Sequence, residues 1–488
     1  MEPTFELPNR NGEEMTILEL QDAMVRGELT ARELVMYYMY RIAIYDQRGP
    51  ILNSIIEINP DAIFIAEALD KERKSMGPRS HLHGIPVLLK ANIETNDKMS
   101  TSAGALVIEN YISKNDAFLV QRLREAGAII LGKTNMTEWA NGMSSQMWAG
   151  YSAKGGQVAH PYGDFFVGGS STGSAVAVTA NFTSVAVGTE TSGSILSPSI
   201  QHSVVGIKPT VGLISRSGVI PFSYSQDTPG PMARTVEDAA ILLQILTRRD
   251  EQDPATWRNE KSDIDYTEYL DAKGLEGARI GVVRNVPLGR FRDPDEYDEE
   301  LYNGAIGDVG NAGAVIVDDI GIPSFYRTWE WDKLCCELKH GMDNFLQGLL
   351  AHCPVHSLSE LIKWNQDHAA VALRYGQDKL ERYQQIESPL KNPQYLLQSL
   401  TDLYYAQNEG IDYALKTYDL DAILFPSYVG ADLSARAGYP TIAVPAGFKA
   451  NGRPFGITFA GTAFSEPTLI RLAYAYEQRT KHRKKPVL

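Results

Sequence analysis

The stretch GGSSTGSAVAVTANFTSVAVGTETSGSILSPS, from Gly168 to Ser199, decides how the chain is organised. More than half of its residues are Gly, Ser or Thr, which is typical of flexible linkers. However, SAVAVTA and SVAVGTE carry regular apolar positions and predict a buried helix followed by a strand. The small residues therefore lie at the ends of ordered elements, at 168–173 and 188–194. Glycines there let backbone N–H groups approach a ligand closely.

Short apolar runs bounded by Gly, Pro or Asn flank this stretch on both sides and predict further strands. They lie at 84–90, 128–135, 184–190 and 204–210, and again at 278–283, 314–319, 422–427, 441–447 and 455–461. Helical patterns such as 116–126 separate some of them. This alternation predicts a sheet with a substantial parallel component, covered by helices.

The remaining segments are mostly helical in pattern. Residues 16 to about 69 carry apolar residues at helical spacing, with Thr30 as a candidate N-cap and Glu33 three residues on. No Pro/Gly/Ser-rich linker or internal repeat divides the chain. We predict an α/β fold with a single large mixed, twisted β-sheet. The predicted single domain (1–488) comprises a helical lead-in (1–70), a catalytic core (71–285), a mostly helical insertion (286–418) and a return to the core sheet (419–488).

The composition excludes several classes of protein. With 43% hydrophobic and 22% charged residues, the chain has the composition of an ordinary globular protein, which excludes disordered, collagen-like and disulfide-rich proteins. Its net charge of −14 repels phosphate backbones and anionic lipid, so neither nucleic acid nor membrane is an expected partner. The chain starts with polar and acidic residues, and it has no apolar run long enough to span a membrane. Its three cysteines show neither zinc-ligand spacing nor an even disulfide framework. Together these features predict a cytoplasmic protein. We expect a monomer or homodimer.

The small-residue segments fit one of two common glycine motifs. A phosphate-binding P-loop requires a lysine directly after its last glycine, and no lysine follows Gly173. GSSTG (169–173) matches the G-x-S-x-G nucleophile elbow, which makes Ser171 the candidate nucleophile of an esterase with a histidine triad. The histidines that could complete this triad lie in the insertion or the basic tail: His340, His352, His356, His368 and His482. The esterase remains an alternative.

Four segments together resemble the amidase signature family of serine amide hydrolases, in wording closest to its bacterial peptide amidase-like branch. They are GIPVLLKANI (84–93), GGSSTGSA (168–175), GTETSGSI (188–195) and VVGIKPTVGLISRSGVIPFSYSQDTPGPMARTVEDAA (204–240). The resemblance implies the amidase signature fold and an enzyme that hydrolyses linear amide C–N bonds, with no metal and no organic cofactor. Its implied substrates are small-molecule or peptide amides, including C-terminal peptide amides.

The resemblance also implies a Ser-cisSer-Lys triad. Ser194 matches the nucleophile, Ser170 matches the relay serine after a cis peptide bond, and Lys90 matches the base. Ser171 matches a hydroxyl that helps to orient the lysine. A lysine is a base only when neutral, and lowering its pKa from about 10.4 to about 7 costs on the order of 4 to 5 kcal/mol. Burial is the usual means, and the apolar residues before Lys90 predict it.

The segment before the nucleophile is expected to form the oxyanion hole. Its donors would be the backbone N–H groups of Thr191, Ser192, Gly193 and Ser194, and each can be worth roughly 3 to 4 kcal/mol. Ser192 is expected to act only through its backbone. Glu190, where Asp is frequent in the family, is expected to make structural hydrogen bonds.

The sequence says less about the substrate than about the catalytic residues. The loop 135–157 and the insertion, with Trp329, Trp331 and Trp364, are expected to line the acyl pocket.

A further alternative is a subunit of a tRNA-dependent amidotransferase, which would release ammonia from glutamine within a complex.

Overall fold

The computed structural model describes residues 12–259, 264–286 and 293–488. The predicted helical lead-in begins within residues 1–11, which lie outside this range. The strands of the described residues are β1 (Ile55–Ile58), β2 (Pro86–Lys90), β3 (Ile129–Thr134), β4 (Tyr151–Ser152), β5 (Gly156–Gln157), β6 (Val185–Glu190), β7 (Val205–Lys208), β8 (Thr228–Ala233), β9 (Arg279–Val282), β10 (Val315–Val317), β11 (Ala422–Pro426), β12 (Thr441–Phe448) and β13 (Pro454–Ala460).

One mixed sheet joins the early and the late strands. Its order is β1-β3-β2-β6-β8-β7-β12-β13-β11-β9-β10, and β4 and β5 form a separate small hairpin. Strands β3, β2 and β6 run parallel to one another, as do β11, β9 and β10, whereas the strands between these two groups pair antiparallel. All nine strands expected from the apolar runs are present, and the predicted mixed α/β sheet is confirmed.

Two strands of the sheet are absent from the sequence-based prediction. Strand β1 interrupts the segment expected to be helical, because its isoleucines at 55, 56 and 58 favour an extended chain and it pairs antiparallel with β3. Strand β8 contains Pro229 and Pro231, which argue against a central strand because proline lacks an N–H. Its ladder with β7 involves only Met232 and Ala233, so the two prolines lie beyond that ladder.

Helices cover the sheet and build the insertion. They are α1 (Ile17–Val25), α2 (Ala31–Arg41), α3 (Ala62–Met76), α4 (Phe118–Glu125), α5 (Thr172–Thr179), α6 (Leu196–Gln201), α7 (Val236–Leu246), α8 (Glu299–Asn311), α9 (Asp332–Gln347), α10 (Leu358–Asp367), α11 (Ala369–Ala372), α12 (Asp378–Gln384), α13 (Pro393–Ala406), α14 (Asp412–Thr417), α15 (Ala431–Ala437) and α16 (Glu466–Thr480). Thr30 caps α2 in a capping box with Glu33, as predicted. In the described part of the chain, none of the helices has both the length and the apolar content needed to cross a lipid bilayer.

The parallel strands β2 and β6 set the position of the candidate site. Both are buried along their whole length, because helices pack over the sheet there. Leu89 of β2 lies beside Val187 of β6, so the last residues of both strands come together at one edge of the sheet. Lys90 and Glu190 are these last residues. The predicted domain limits and cytoplasmic location remain predictions.

Candidate active site

Lys90 lies at the carboxyl end of β2 and is fully buried, with 0% of its surface exposed. Its Nζ lies within hydrogen-bond distance of the Ser170 Oγ at 2.7 Å, the Ser171 Oγ at 3.0 Å and the Thr189 carbonyl oxygen at 3.1 Å. The Thr189 Oγ1 is a fourth neighbour at 2.9 Å. Burial lowers the pKa of Lys90 to about 7, an effect that the carboxylates of Asp227 and Glu190 partly oppose.

Ser170 and Ser171 connect this lysine to the strand beside it. The Gly169–Ser170 peptide bond is cis, as the resemblance implies, and both serines are buried. The Ser171 hydroxyl donates to the Thr189 carbonyl oxygen at 2.9 Å and accepts from the Thr189 N–H at 3.1 Å. The Ser171 N–H also donates to the Ser194 carbonyl oxygen at 3.0 Å, so the two serine-rich segments are joined through their backbones.

A cavity of about 210 Å³ opens next to these segments. Ser194 lies in its wall and is half-buried. Of the residues expected in the wall, the loop 135–157 contributes Thr137, Ala140, Asn141 and Ala149, and the insertion contributes Trp331 and Lys379. The other lining residues are Phe166, Gly169, Thr191, Ser192, Gly193, Ser197, Phe222 and Tyr428.

The two other tryptophans of the expected wall lie elsewhere. Trp329 is buried in a cluster with Phe325 and Phe425, and Trp364 stacks on His368 with ring centroids 4.0 Å apart. Each belongs to the packing of the surrounding helices. The expectation that both line the pocket is therefore wrong, whereas Trp331 does line it.

Glu190 organises the segment that leads to Ser194. Its buried carboxylate accepts from the N–H groups of Gly193 at 2.7 Å, Ile195 at 2.7 Å and Leu196 at 3.0 Å. This agrees with the structural hydrogen bonding predicted for Glu190. It also corrects the list of oxyanion-hole donors, because the Gly193 N–H serves a buried carboxylate that needs donors. Gly193 has a φ of +77°, which favours glycine at this bend around Glu190.

Thr191 and Ser192 are held by side chains distant in sequence. The Thr191 hydroxyl donates to the Asp227 carboxylate at 2.5 Å, and the same carboxylate accepts from the backbone N–H groups of Phe222 and Ser223, both at 2.7 Å. Burial raises the pKa of Asp227 to about 6. The Ser192 hydroxyl donates to the Asp432 carboxylate on α15, so Ser192 does not act through its backbone alone.

Asp227 and Asp432 were not predicted as parts of the site. Asp227 lies within the SYSQDTPGP segment quoted for the family resemblance, and that position was its only signal. Asp432 has no local signal, because its contact with Ser192 spans 240 residues.

The histidine triad of the esterase alternative finds no support in the geometry. None of the residues lining the cavity is a histidine. His340 contacts the Tyr224 hydroxyl, His368 stacks on Trp364, and His482 pairs with Asp308 at the surface. Ser171 is fully buried, and its hydroxyl bonds to Thr189 and Lys90.

The chain is similar to known amidases in both sequence and structure. A model of the Amidase family matches residues 33–470. The chain is 42% identical to native peptide amidase from Stenotrophomonas maltophilia, with a TM-score of 0.90 over 98% of this chain and 99% of that one. It is 38% identical to a probable amidase from Arabidopsis thaliana, over 97% of this chain and 91% of that protein. It is 30% identical to a glutamyl-tRNA(Gln) amidotransferase subunit from Nitrosococcus oceani, over 95% of this chain and 97% of that one.

Proposed function

Because the chain belongs to the amidase family, a hydrolase family acting on amide C–N bonds, we propose that it cleaves carboxylic or peptide C-terminal amides through an acyl-enzyme on Ser194. Ser170 and Lys90 form the proton relay. The observation that carries this proposal is the 2.7 Å contact between the Lys90 Nζ and the Ser170 Oγ, inside a fully buried environment. The likeness to a peptide amidase supports the peptide amide as substrate.

The hydrogen bonds around Lys90 support its role as a base. A neutral amine has two N–H groups and one lone pair. The Thr189 carbonyl oxygen can only accept, and Ser171 already donates its O–H to that oxygen, so both take an N–H from Lys90. The lone pair is then left for a hydroxyl, and the Ser170 hydroxyl is the nearest. A pKa of about 7 keeps much of Lys90 neutral at physiological pH.

The reaction follows from this relay. Ser170 passes its proton to Lys90 and takes the proton of Ser194, whose Oγ attacks the carbonyl carbon of the amide. The tetrahedral intermediate collapses as the relay returns the proton to the leaving nitrogen, so the C–N bond breaks and ammonia or an amine departs. The same relay then removes a proton from water, which attacks the ester on Ser194 and releases the acid. Amide and water thus become acid and amine.

The oxyanion is assigned to the backbone N–H groups of Thr191, Ser192 and Ser194. Gly193 is excluded from this set because its N–H donates to Glu190. The hydrogen bonds from Thr191 to Asp227 and from Ser192 to Asp432 hold the segment in place before the substrate arrives. Such preorganised donors stabilise developing charge without reorganisation during the reaction.

The test uses a serine-directed fluorophosphonate followed by peptide mapping, together with ammonia release from a panel of amides. Ser194→Ala is expected to lose both labelling and turnover. Ser359→Ala, which removes an exposed serine on α10, is the matched control and should keep both. Ser171→Ala separates the esterase alternative, because that mechanism places the label on Ser171. Retained turnover in Ser194→Ala refutes the proposal.

The amidotransferase subunit is a second candidate because of the 30% identity to such a subunit from Nitrosococcus oceani. The greater identity to a peptide amidase, 42%, favours the first candidate. The two candidates are distinguished by offering glutamine and a C-terminal peptide amide as competing substrates. An amidotransferase subunit releases ammonia from glutamine in preference and purifies with other subunits, whereas an amidase prefers the peptide amide and acts alone.

A further inference from the structure

Helix α13 (Pro393–Ala406) packs against the rest of the protein through polar side chains. Its buried residues are Gln398, Asp402 and Ala406. The Asp402 carboxylate forms ion pairs with two buried cations, the Lys333 ammonium at 2.9 Å and the Arg436 guanidinium. The Gln398 Oε1 accepts from the backbone N–H of Lys333 at 2.9 Å. Because breaking a buried ion pair is strongly destabilising, these contacts fix which face of α13 points inward.

The opposite face of α13 is apolar and exposed to solvent. We call it the leucine face; it comprises Leu396, Leu397, Leu400, Leu403 and Tyr404, which are between 45% and 71% exposed. Asp402 is the one charged residue of this helix, and it is buried. The leucine face therefore presents an uncharged apolar patch on the order of 500 Å², a size at which patches on soluble proteins often mark interaction sites.

The leucine face has the spacing that pairing with a copy of itself requires. Its outer members lie three and four positions on either side of Leu400. When two such helices run antiparallel about a two-fold axis beside Leu400, the two Leu400 side chains meet at the axis. Leu396 and Leu397 of one copy then meet Leu403 and Tyr404 of the other, and the reverse holds by symmetry. Every member of the face gains an apolar partner in this arrangement.

Charge also favours this antiparallel pairing. Two copies, each with a net charge of −14, repel one another, so a contact between them needs a surface without negative charge, which the leucine face provides. Lys391 and Glu409 lie nine positions before and after Leu400. Antiparallel helices bring the end with Lys391 next to the end with Glu409 of the other copy, and their dipoles also oppose each other.

We propose that two copies of this chain associate through the leucine face, as an antiparallel two-fold dimer centred on Leu400. This inference does not depend on the proposed amidase function. Two such faces bury about 1,000 Å² in total, which is at the low end for specific interfaces. The dimer is therefore reversible, with a Kd in the micromolar range.

Sedimentation equilibrium of the full chain, from about 1 to about 500 µM, tests the association. The native protein should pass from monomer to dimer over this range. Leu400→Asp removes the central leucine from both copies and sets two carboxylates against each other, so its Kd should rise by at least about 100-fold. Phe64→Asp is the matched control, because it places the same charge on α3 at a side chain that is 69% exposed, and it should keep the native Kd. Both variants should keep the native circular dichroism spectrum, since both positions are exposed.

Cysteine substitutions test the antiparallel arrangement. Leu400→Cys should form a disulfide-linked dimer on oxidation, because the two copies of this position meet at the axis. Leu396→Cys alone should not, since its two copies lie about 12 Å apart along the helix axes, whereas a mixture of Leu396→Cys and Leu403→Cys should form a mixed disulfide. The native Cys335, Cys336 and Cys353 are buried and are present in all variants alike. Linking of Leu396→Cys to itself as efficiently as Leu400→Cys would overturn the antiparallel arrangement.

Two further outcomes overturn the dimer itself. If the native protein stays monomeric over the whole concentration range, the leucine face does not join two copies; binding of that monomer to phosphatidylcholine vesicles, lost in Leu400→Asp, would assign the face to lipid instead. If a dimer forms but Leu400→Asp leaves its Kd unchanged, a different surface joins the copies. Neither outcome bears on the amidase function, which the release of ammonia from amides tests separately.

Discussion

The buried base makes a quantitative prediction about stability. Lys90 is fully buried, and burial lowers its pKa from 10.5 to about 7. Between these two values the unfolded chain carries a proton on this lysine that the native protein lacks. The free energy of unfolding therefore rises with pH across this window, by about 1.4 kcal/mol per pH unit from this group alone. Below pH 7 both states are protonated, and the native state bears the full cost of the buried charge.

Lys90→Met removes this titration while keeping an unbranched side chain of similar length. The comparison is a double difference: the change in unfolding free energy between pH 7.5 and 9.5 in the native protein, minus the same change in the variant. Over these two pH units we expect the double difference to be about 2 to 3 kcal/mol. The buried Lys133 and Lys208, whose pKa values burial lowers to about 8, titrate in the same window, but they do so in both proteins and cancel.

Urea unfolding at both pH values, followed by pulse proteolysis, measures the effect. Lys98→Met is the control, because it removes a lysine whose side chain is 66% exposed, and its double difference should be a small fraction of that of Lys90→Met. If the stability of Lys90→Met follows pH in parallel with that of the native protein, Lys90 is not deprotonated on folding. The assignment of Lys90 as a neutral base would then be refuted as well.

Three further predictions concern the surroundings of the base. Asp227→Asn removes a negative charge that raises the pKa of Lys90, so the acid limb of the pH profile of kcat/KM should move to lower pH; an unmoved limb contradicts this. Glu190→Gln sets an amide N–H against a backbone N–H of the 193–196 segment, which should cost about 1 to 3 kcal/mol of stability and lower kcat. Unchanged urea midpoint and kcat would refute that reasoning. Gly173→Ala places a Cβ within 2.4 Å of the carbonyl oxygen of Asn135, so its urea midpoint should fall by the equivalent of about 1 to 3 kcal/mol, and a native-like midpoint would contradict the crowding.

Local sequence was sufficient to predict much of the fold. The strands β2, β3 and β6 are buried on both faces, so they appear as continuous apolar runs that end at Gly, Pro or Asn. The start of α2 could also be predicted, because a capping box involves residues only three positions apart. Strand β8 could not be predicted in this way, since its prolines contradict the local rules; both pair with β6 and lie beyond the end of the ladder with β7.

The sequence by itself determined the residues around the base: Lys90, Ser170 and Ser171 were predicted from motifs, and the structure brings them within hydrogen-bond distance. The tertiary structure alone decided that the Gly193 N–H turns to Glu190, that Asp227 and Asp432 hold the segment before Ser194, and that Lys379 reaches the cavity wall. The physical reason is separation along the chain. Motifs and periodicity record interactions between near neighbours, whereas the contact of Lys379 with Asn141 spans 238 residues and exists only once the insertion has packed against the sheet.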